Sequence, residues 1–179
     1  MSDKKIEDLK ILFDENQVKE KTLEIAEKIN QTYGTKEDLT VICVLKGSSI
    51  FCCDLIKHLK MPIQLEFIKV SSYGNDQKSS GDVKALDLTL PSLSGKNVII
   101  VEDIIDTGCT LKFLCDIIHR THAPKNLGIA TFLNKKIARI TEIEPEFYGF
   151  EIDDKFVVGY GLDYCGYFRN LPYIGYFPD

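Results

Sequence analysis

No apolar run in this chain is long enough to cross a bilayer, which takes roughly 20 residues in a helix. The N-terminus, Met1-Ser2-Asp3-Lys4-Lys5-Ile6-Glu7-Asp8, is charged and lacks the apolar core of a secretion signal, so the expected location is the cytoplasm, with no membrane partner. Positive charge is also scarce. Against 27 acidic residues stand 22 Lys and Arg, a net charge of −5, which argues against nucleic acid as a partner. A small anionic substrate then needs a local positive site or a metal. The six cysteines (Cys43, Cys52, Cys53, Cys109, Cys115, Cys165) contain no C-x-x-C pair, and free thiols are expected rather than disulfides or zinc. The three histidines, His58, His119 and His122, have no metal-ligand partners at suitable spacing. No internal repeat, low-complexity tract or linker divides the 179 residues, so a single domain over 1–179 is expected, ordinary in its 44% hydrophobic content.

What is present is an alternation of apolar strands and amphipathic helices. Val18, Thr22, Ile25, Ala26, Ile29 and Tyr33 share one helical face, with Gly34 as the stop. A strand over 40–45, a turn at Lys46-Gly47-Ser48, a helix over 49–59 and a strand over 63–70 follow. The polar stretch 71–84, with two glycines, is too long for an ordinary connection and reads as a mobile loop. A strand over 97–102, a helix over 111–120 and strands over 127–133, 147–150 and 156–159 complete the pattern. The fold class this implies is α/β: a doubly wound, mainly parallel sheet flanked by helices, its site at the carboxyl ends of the strands. The segment from Phe147 onward is rich in aromatics, which suits core packing, a subunit contact, or a small cap over a bound base.

The most informative stretch is Ser94 to Thr110. The strand Val98 to Val101 ends in Glu102, Asp103 and Asp106, then turns through Thr107-Gly108-Cys109-Thr110 into a helix. Such a turn aims free N–H groups and the positive end of a helix dipole at one point, where an anion can sit. A plain strand-turn-helix capped by Asp106 or Thr107 is the simpler alternative. It leaves Glu102 and Asp103 unexplained, since adjacent carboxylates at the end of an apolar strand repel and resist burial. A ribose diol and Mg²⁺ would satisfy both.

At this point Val101-Glu102-Asp103-Ile104-Ile105-Asp106-Thr107-Gly108 closely resembles the phosphoribosyl-pyrophosphate motif of the type I phosphoribosyltransferases, and the acid at Asp106 resembles the hypoxanthine-guanine branch. The resemblance runs from about Val18 to the C-terminus through several separate motifs. Leu45-Lys46-Gly47-Ser48 resembles the family's pyrophosphate loop, with a cis peptide before the lysine. Ser72-Tyr73-Gly74 resembles the start of a flap, about 71–84, that closes over the reacting centre. Lys135 matches the lysine that donates to a purine 6-oxo group. Phe156 to Tyr164 resembles the base-binding segment, and Arg169 a pyrophosphate-binding arginine.

The resemblance implies a role for each position. Glu102 and Asp103 hold the ribose hydroxyls and Mg²⁺, with Asp163 reaching the metal through water. Asp106 is the general base at purine N7, and Asp106, Thr107, Gly108, Cys109 and Thr110 bind the 5′-phosphate. Lys46, Gly47 and Arg169 take the pyrophosphate, and Ser72 and Tyr73 belong to the flap. Lys135, Phe156, Val157 and Asp163 bind the purine. Cys109 stands where relatives often have lysine, which bears on phosphate affinity. The implied protein is a Mg²⁺-dependent 6-oxopurine phosphoribosyltransferase of purine salvage, with a C-terminal hood, its partners being the purine base and phosphoribosyl pyrophosphate, in a homodimer or homotetramer. A non-catalytic sensor of phosphoribosyl pyrophosphate is the rival. An aspartyl phosphatase would need an Asp-x-Asp pair that this chain lacks.

Overall fold

The computed structural model describes residues 4–70, 85–87 and 90–178. Strand β1 (Lys10–Phe13) leads into helix α1 (Glu15–Tyr33) through Asp14, whose carboxylate accepts the Gln17 N–H at 2.9 Å. The Gln17 side chain accepts the Asp14 N–H at 2.9 Å in return, a reciprocal cap that satisfies two otherwise orphaned donors. Strand β2 (Leu39–Leu45), helix α2 (Ser49–Ile56), strands β3 (Ile63–Val70), β4 (Ala85–Asp87) and β5 (Asn97–Ile105), helix α3 (Cys109–His122), and strands β6 (Asn126–Asn134) and β7 (Phe147–Glu151) follow. The main sheet has the order β4-β3-β2-β5-β6-β7; β4 is an antiparallel edge and the other five strands are parallel.

Both faces of this sheet are covered, as its apolar strands require. Ile25, Ile29, Phe51 and Leu55 of α1 and α2 pack with Val41, Ile99 and Phe132 on one face. Leu111, Leu114 and Ile118 of α3 pack with Ile42, Val98 and Ile100 on the other. Successive residues of β2 and β5 therefore enter opposite cores. The chain moves outward from β2 to β3, then returns past β2 to β5 and on to β6. The loops after β2 and β5 thus diverge at the topological switch point, where open α/β sheets bind ligands.

Strands β8 (Val157–Val158) and β9 (Ile174–Tyr176) form, with β1, a separate antiparallel sheet of order β1-β9-β8. The expected C-terminal hood is therefore built from both ends of the chain. Phe13 of β1 stacks on Phe150 of β7, ring centroids 3.8 Å apart and 10° from parallel, which ties the small sheet to the large one. The expected strand over 156–159 shrinks to two residues and leaves the main sheet.

Two other boundaries move. The second helix ends at Ile56 rather than residue 59, because His58 and Leu59 donate to Leu55 and Ile56 in tighter turns. Asn30 then holds this end, accepting the Lys60 N–H at 2.8 Å and donating to the His58 carbonyl at 3.0 Å. Strand β5 continues three residues past Glu102 to Ile105, since β6 goes on pairing with it after β2 has stopped at Val101. The expected flap, about 71–84 with Ser72 and Tyr73, lies outside the described residues. All six cysteines are free, as expected.

Candidate active site

Glu102 and Asp103 sit where β5 has lost one neighbour. The β2–β5 pairing ends at Cys43 and Val101 although β2 runs on to Leu45 beside β3, and the loop that leaves β2 through the cis Leu45–Lys46 peptide lies against this end of β5. Gly47 of that loop lies against Asp103 so closely that a Cβ built on it would overlap the carboxylate. Gly161, at φ +102°, packs in turn on the Gly47 carbonyl, which a Cβ at Gly161 would overlap. Glycine is required at both places by close approach. Gly161 escaped the sequence reading; its one signal was the Gly159-Tyr160-Gly161 run inside the base-binding segment.

The electrostatics of the acidic pair are unfavourable without a partner. Glu102 Oε2 is sealed from solvent and accepts no hydrogen bond. Burial first, then the charges of Asp103, Cys43 and Asp106, push its carboxyl well above the usual range. Burial also pushes Asp103 up to about 6, opposed by the Ile104 N–H, which donates at 2.8 Å, and by the Arg169 charge. A cavity of about 200 Å³ runs from Glu102 and Asp103 past Asp106 to Gly108, Thr110 and Leu111. The acidic pair and the turn at the start of α3 therefore line one continuous space.

Within that turn Gly108 has φ +81° and precedes the first helical residue, Cys109, whose side chain is exposed. Thr107 Oγ1 accepts the Cys109 N–H at 3.4 Å, and the exposed Asp106 carboxylate accepts the Thr107 N–H at 2.5 Å.

On the opposite flank, Lys135 follows the end of β6 and pairs with Asp154 at 2.6 Å. Phe156 is 62% exposed and meets Tyr164 edge to face at 5.8 Å. An exposed phenylalanine held by a neighbouring ring is available for stacking. Val157 is buried in β8 and paired with Tyr176. Asp163 and Arg169 pair with each other at 2.5 Å; Arg169 also donates to the Gly161 carbonyl at 2.6 Å, and Asp163 accepts the Gly166 N–H at 2.6 Å. Lys46 is exposed beside Gly47. Through Gly161 and Asp103, the segment bearing Asp163 and Arg169 thus meets the Gly47 loop and the acidic pair. A larger cavity of about 390 Å³, between α1, α2 and the Tyr160 to Pro172 segment, contains none of the site residues expected from sequence.

A strand-end acidic pair, a strand-to-helix turn and a glycine loop thus meet at the switch point of a parallel sheet, the place where enzymes of the open α/β class bind ligands. The family model described as "Phosphoribosyl transferase domain" matches residues 8–165. The chain is 43% identical to the hypoxanthine-guanine phosphoribosyltransferase of Bacillus subtilis (strain 168) over 166 residues, 93% of this chain and 91% of that protein. It is 44% identical to the enzyme of the same name from Lactococcus lactis over 173 residues, 97% and 92% of the two chains. Among solved structures, a hypoxanthine-guanine phosphoribosyltransferase from Bacillus anthracis superposes with a TM-score of 0.88 at 44% identity, over 93% of this chain and 97% of that one. A hypoxanthine phosphoribosyltransferase from Staphylococcus aureus gives 0.90 at 36% identity, over 96% and 93%. The chain belongs to the hypoxanthine-guanine phosphoribosyltransferase family of enzymes.

Proposed function

We propose that this chain transfers the 5-phosphoribosyl group of phosphoribosyl pyrophosphate to hypoxanthine or guanine, releasing pyrophosphate and the nucleoside 5′-monophosphate. The observation that carries this reading is the single cavity joining Glu102 and Asp103 to the Asp106–Thr110 turn, with the Gly47 loop packed on Asp103. It offers one place for a ribose diol, its 5′-phosphate and its pyrophosphate.

The donor set suits Mg²⁺. The sealed, unpartnered Glu102 Oε2 and the adjacent Asp103 call for a cation, and Mg²⁺ is usually held by one or two carboxylates together with substrate oxygens. Glu102 and Asp103 would hold it, with Asp163 through water; when bound, the ion supplies charge neutralisation to the departing pyrophosphate. The protein's own groups do the rest. As the bond at the anomeric carbon lengthens, the carbon becomes cation-like, and the N–H groups of the Lys46–Gly47 loop and the Arg169 guanidinium stabilise the charge on the leaving oxygens. Asp106 accepts the proton from purine N7. Lys135 donates to the 6-oxo oxygen while Phe156 stacks on the ring and the Val157 backbone reads its edge. The Asp106–Thr110 turn anchors the 5′-phosphate.

The family resemblance implies a homodimer or homotetramer of single-domain chains, which light scattering on the purified protein measures directly. A cytoplasmic location is part of this proposal; among the described residues no helix is long and apolar enough to cross a membrane. The deciding experiment supplies each purine base with phosphoribosyl pyrophosphate and Mg²⁺ and measures nucleotide formed. Product from hypoxanthine or guanine is expected, and failure with every 6-oxopurine would overturn the proposal.

A further inference from the structure

Arg139 stands behind the Asp106–Thr110 turn. Its side chain is only 7% exposed, yet its one ion pair among the described residues, with Glu144, is long at 3.6 Å and its partner lies largely in solvent. The guanidinium instead serves backbone and amide oxygens. Nε donates to the Asp106 carbonyl at 2.9 Å, Nη2 to the Asn134 side-chain oxygen at 2.6 Å and to the Ile105 carbonyl at 3.4 Å, and Nη1 to the Ile143 carbonyl. With Glu144 included, each of the three guanidinium nitrogens faces an oxygen, which the planar fork of arginine achieves and a lysine cannot.

Neighbouring residues complete the same pattern. The Thr107 carbonyl accepts from the Ile140 N–H at 3.1 Å and from Thr141 Oγ1 at 3.2 Å, and the Ile105 carbonyl accepts from the Lys135 N–H at 2.9 Å. Three consecutive carbonyls, 105 to 107, are thereby held against the segment 135–141. In a trans peptide the C=O and the following N–H point in opposite directions, so the N–H groups of Asp106, Thr107 and Gly108 are turned away from that segment. That is the side of the cavity, whose lining includes Asp106, Gly108 and Thr110 but none of residues 135–143. The Asp106 carboxylate takes the Thr107 N–H, leaving those of Asp106 and Gly108 to face an anion. No slack exists in the brace, because a Cβ on Gly108 would overlap Thr141 Oγ1 and Ile143 Cγ2 and press on Arg139 Cδ at 3.0 Å.

We propose that Arg139 is a positioning residue for the phosphate of the substrate: it holds the loop carbonyls from behind so that the loop N–H groups face the phosphate, and sets a buried positive charge behind that loop. This rests on the reading of Asp106–Thr110 as the 5′-phosphate site. Removing the guanidinium should therefore weaken phosphate recognition selectively, through the loop rather than through contact with substrate.

The test measures the affinities of inosine 5′-monophosphate and inosine for the full-length protein; their ratio isolates the phosphate. Arg139→Met is expected to lower that ratio by about tenfold to a hundredfold, the range of a lost hydrogen bond to a charged group. Arg139→Lys should lower it less, because the charge remains while the fork is lost. Inosine affinity should be unchanged, and in turnover the KM for phosphoribosyl pyrophosphate should rise more than kcat falls. A merely structural role would reduce both affinities together with the melting temperature. A folded Arg139→Met protein with an unchanged ratio overturns the proposal; should that variant not fold, the ratio in Arg139→Lys decides in the same way. Thr110→Val separates the two readings. If it too leaves the ratio unchanged, the phosphate-site assignment falls and this inference with it; if it lowers the ratio while the Arg139 variants do not, only the role of Arg139 is lost.

Discussion

Glu102 and Asp103 lower the stability of the fold they belong to, because two neighbouring carboxylates share a poorly solvated strand end and one oxygen has no partner. Glu102→Gln should therefore raise the melting temperature at neutral pH. Each kcal/mol recovered is worth roughly 2–4 °C in a chain of this size. The sign with pH follows from the raised native pKa: the native state binds the Glu102 proton more tightly than the unfolded chain, so wild-type stability falls as pH rises from the unfolded value toward the native one. The gain from the amide should vanish in acid, where Glu102 is protonated in both states, and grow as pH rises from the unfolded value toward the raised native one. The same change combined with Asp103→Asn should weaken binding of phosphoribosyl pyrophosphate with Mg²⁺; calorimetry showing wild-type affinity would remove the pair from that role. Asp106 differs in being exposed, with its carboxylate on the Thr107 N–H. Asp106→Asn should keep fold and phosphate binding but slow turnover by about a hundredfold to ten-thousandfold, the usual cost of losing a general base. Turnover near wild type would exclude Asp106 as the base.

Among elements, the joint between the β2–α2 loop and β5 matters most for the chemistry. The register brings Cys43 opposite Val101 as the last β2–β5 pair; beyond it β2 stays with β3 and β5 with β6, and in the gap that opens between them Gly47 meets Asp103. Gly47→Ala places a methyl group where the Asp103 carboxylate sits, so that the carboxylate must leave its position, while Gly161 packs on the Gly47 carbonyl and limits how far the loop can retreat. The expected result is a drop in kcat/KM for phosphoribosyl pyrophosphate of at least about tenfold, as 1.4 kcal/mol of lost positioning already gives. Steady-state kinetics on a variant with a normal far-UV spectrum measures it. An unaffected kcat/KM would show that the loop and Asp103 do not act as a unit.

At the scale of the whole molecule, the two sheets meet around the proposed base site. Lys135 follows β6 of the large sheet, while Phe156 immediately precedes β8 of the small one and Val157 lies in it, and the Lys135–Asp154 pair at 2.6 Å ties the end of β6 to the connection between β7 and β8. A lysine ammonium has only donors, so it complements a 6-oxo oxygen and opposes the 6-amino group of adenine. Sites built to hydrogen-bond a substrate group reject analogues lacking it by about 10⁴ to 10⁵, so adenine turnover should be very low. Lys135→Met should lose most 6-oxopurine activity while narrowing the gap to adenine, because the opposing charge is gone. Comparable turnover of adenine and hypoxanthine by the wild-type protein would refute this role.

Periodicity and local chemistry alone determined the parallel α/β sheet, the helix stopped by Gly34, the paired carboxylates and the anion-ready turn, because apolar spacing, glycine and side-chain charge are local properties of a chain. The motifs from Lys46 to Arg169 were equally legible as a resemblance. Distances between segments are not local, and tertiary structure decided what depended on them. Strand β1 is four residues without alternation, and it became part of the hood only because β9, far along the chain, offered an edge to pair with. Strand β5 outran its expected end because β6 kept pairing after β2 stopped. Neither Gly161 nor Arg139 was singled out by the sequence. Their importance arises only where the folded chain sets one against the Gly47 carbonyl and the other behind the carbonyls of Ile105 and Asp106.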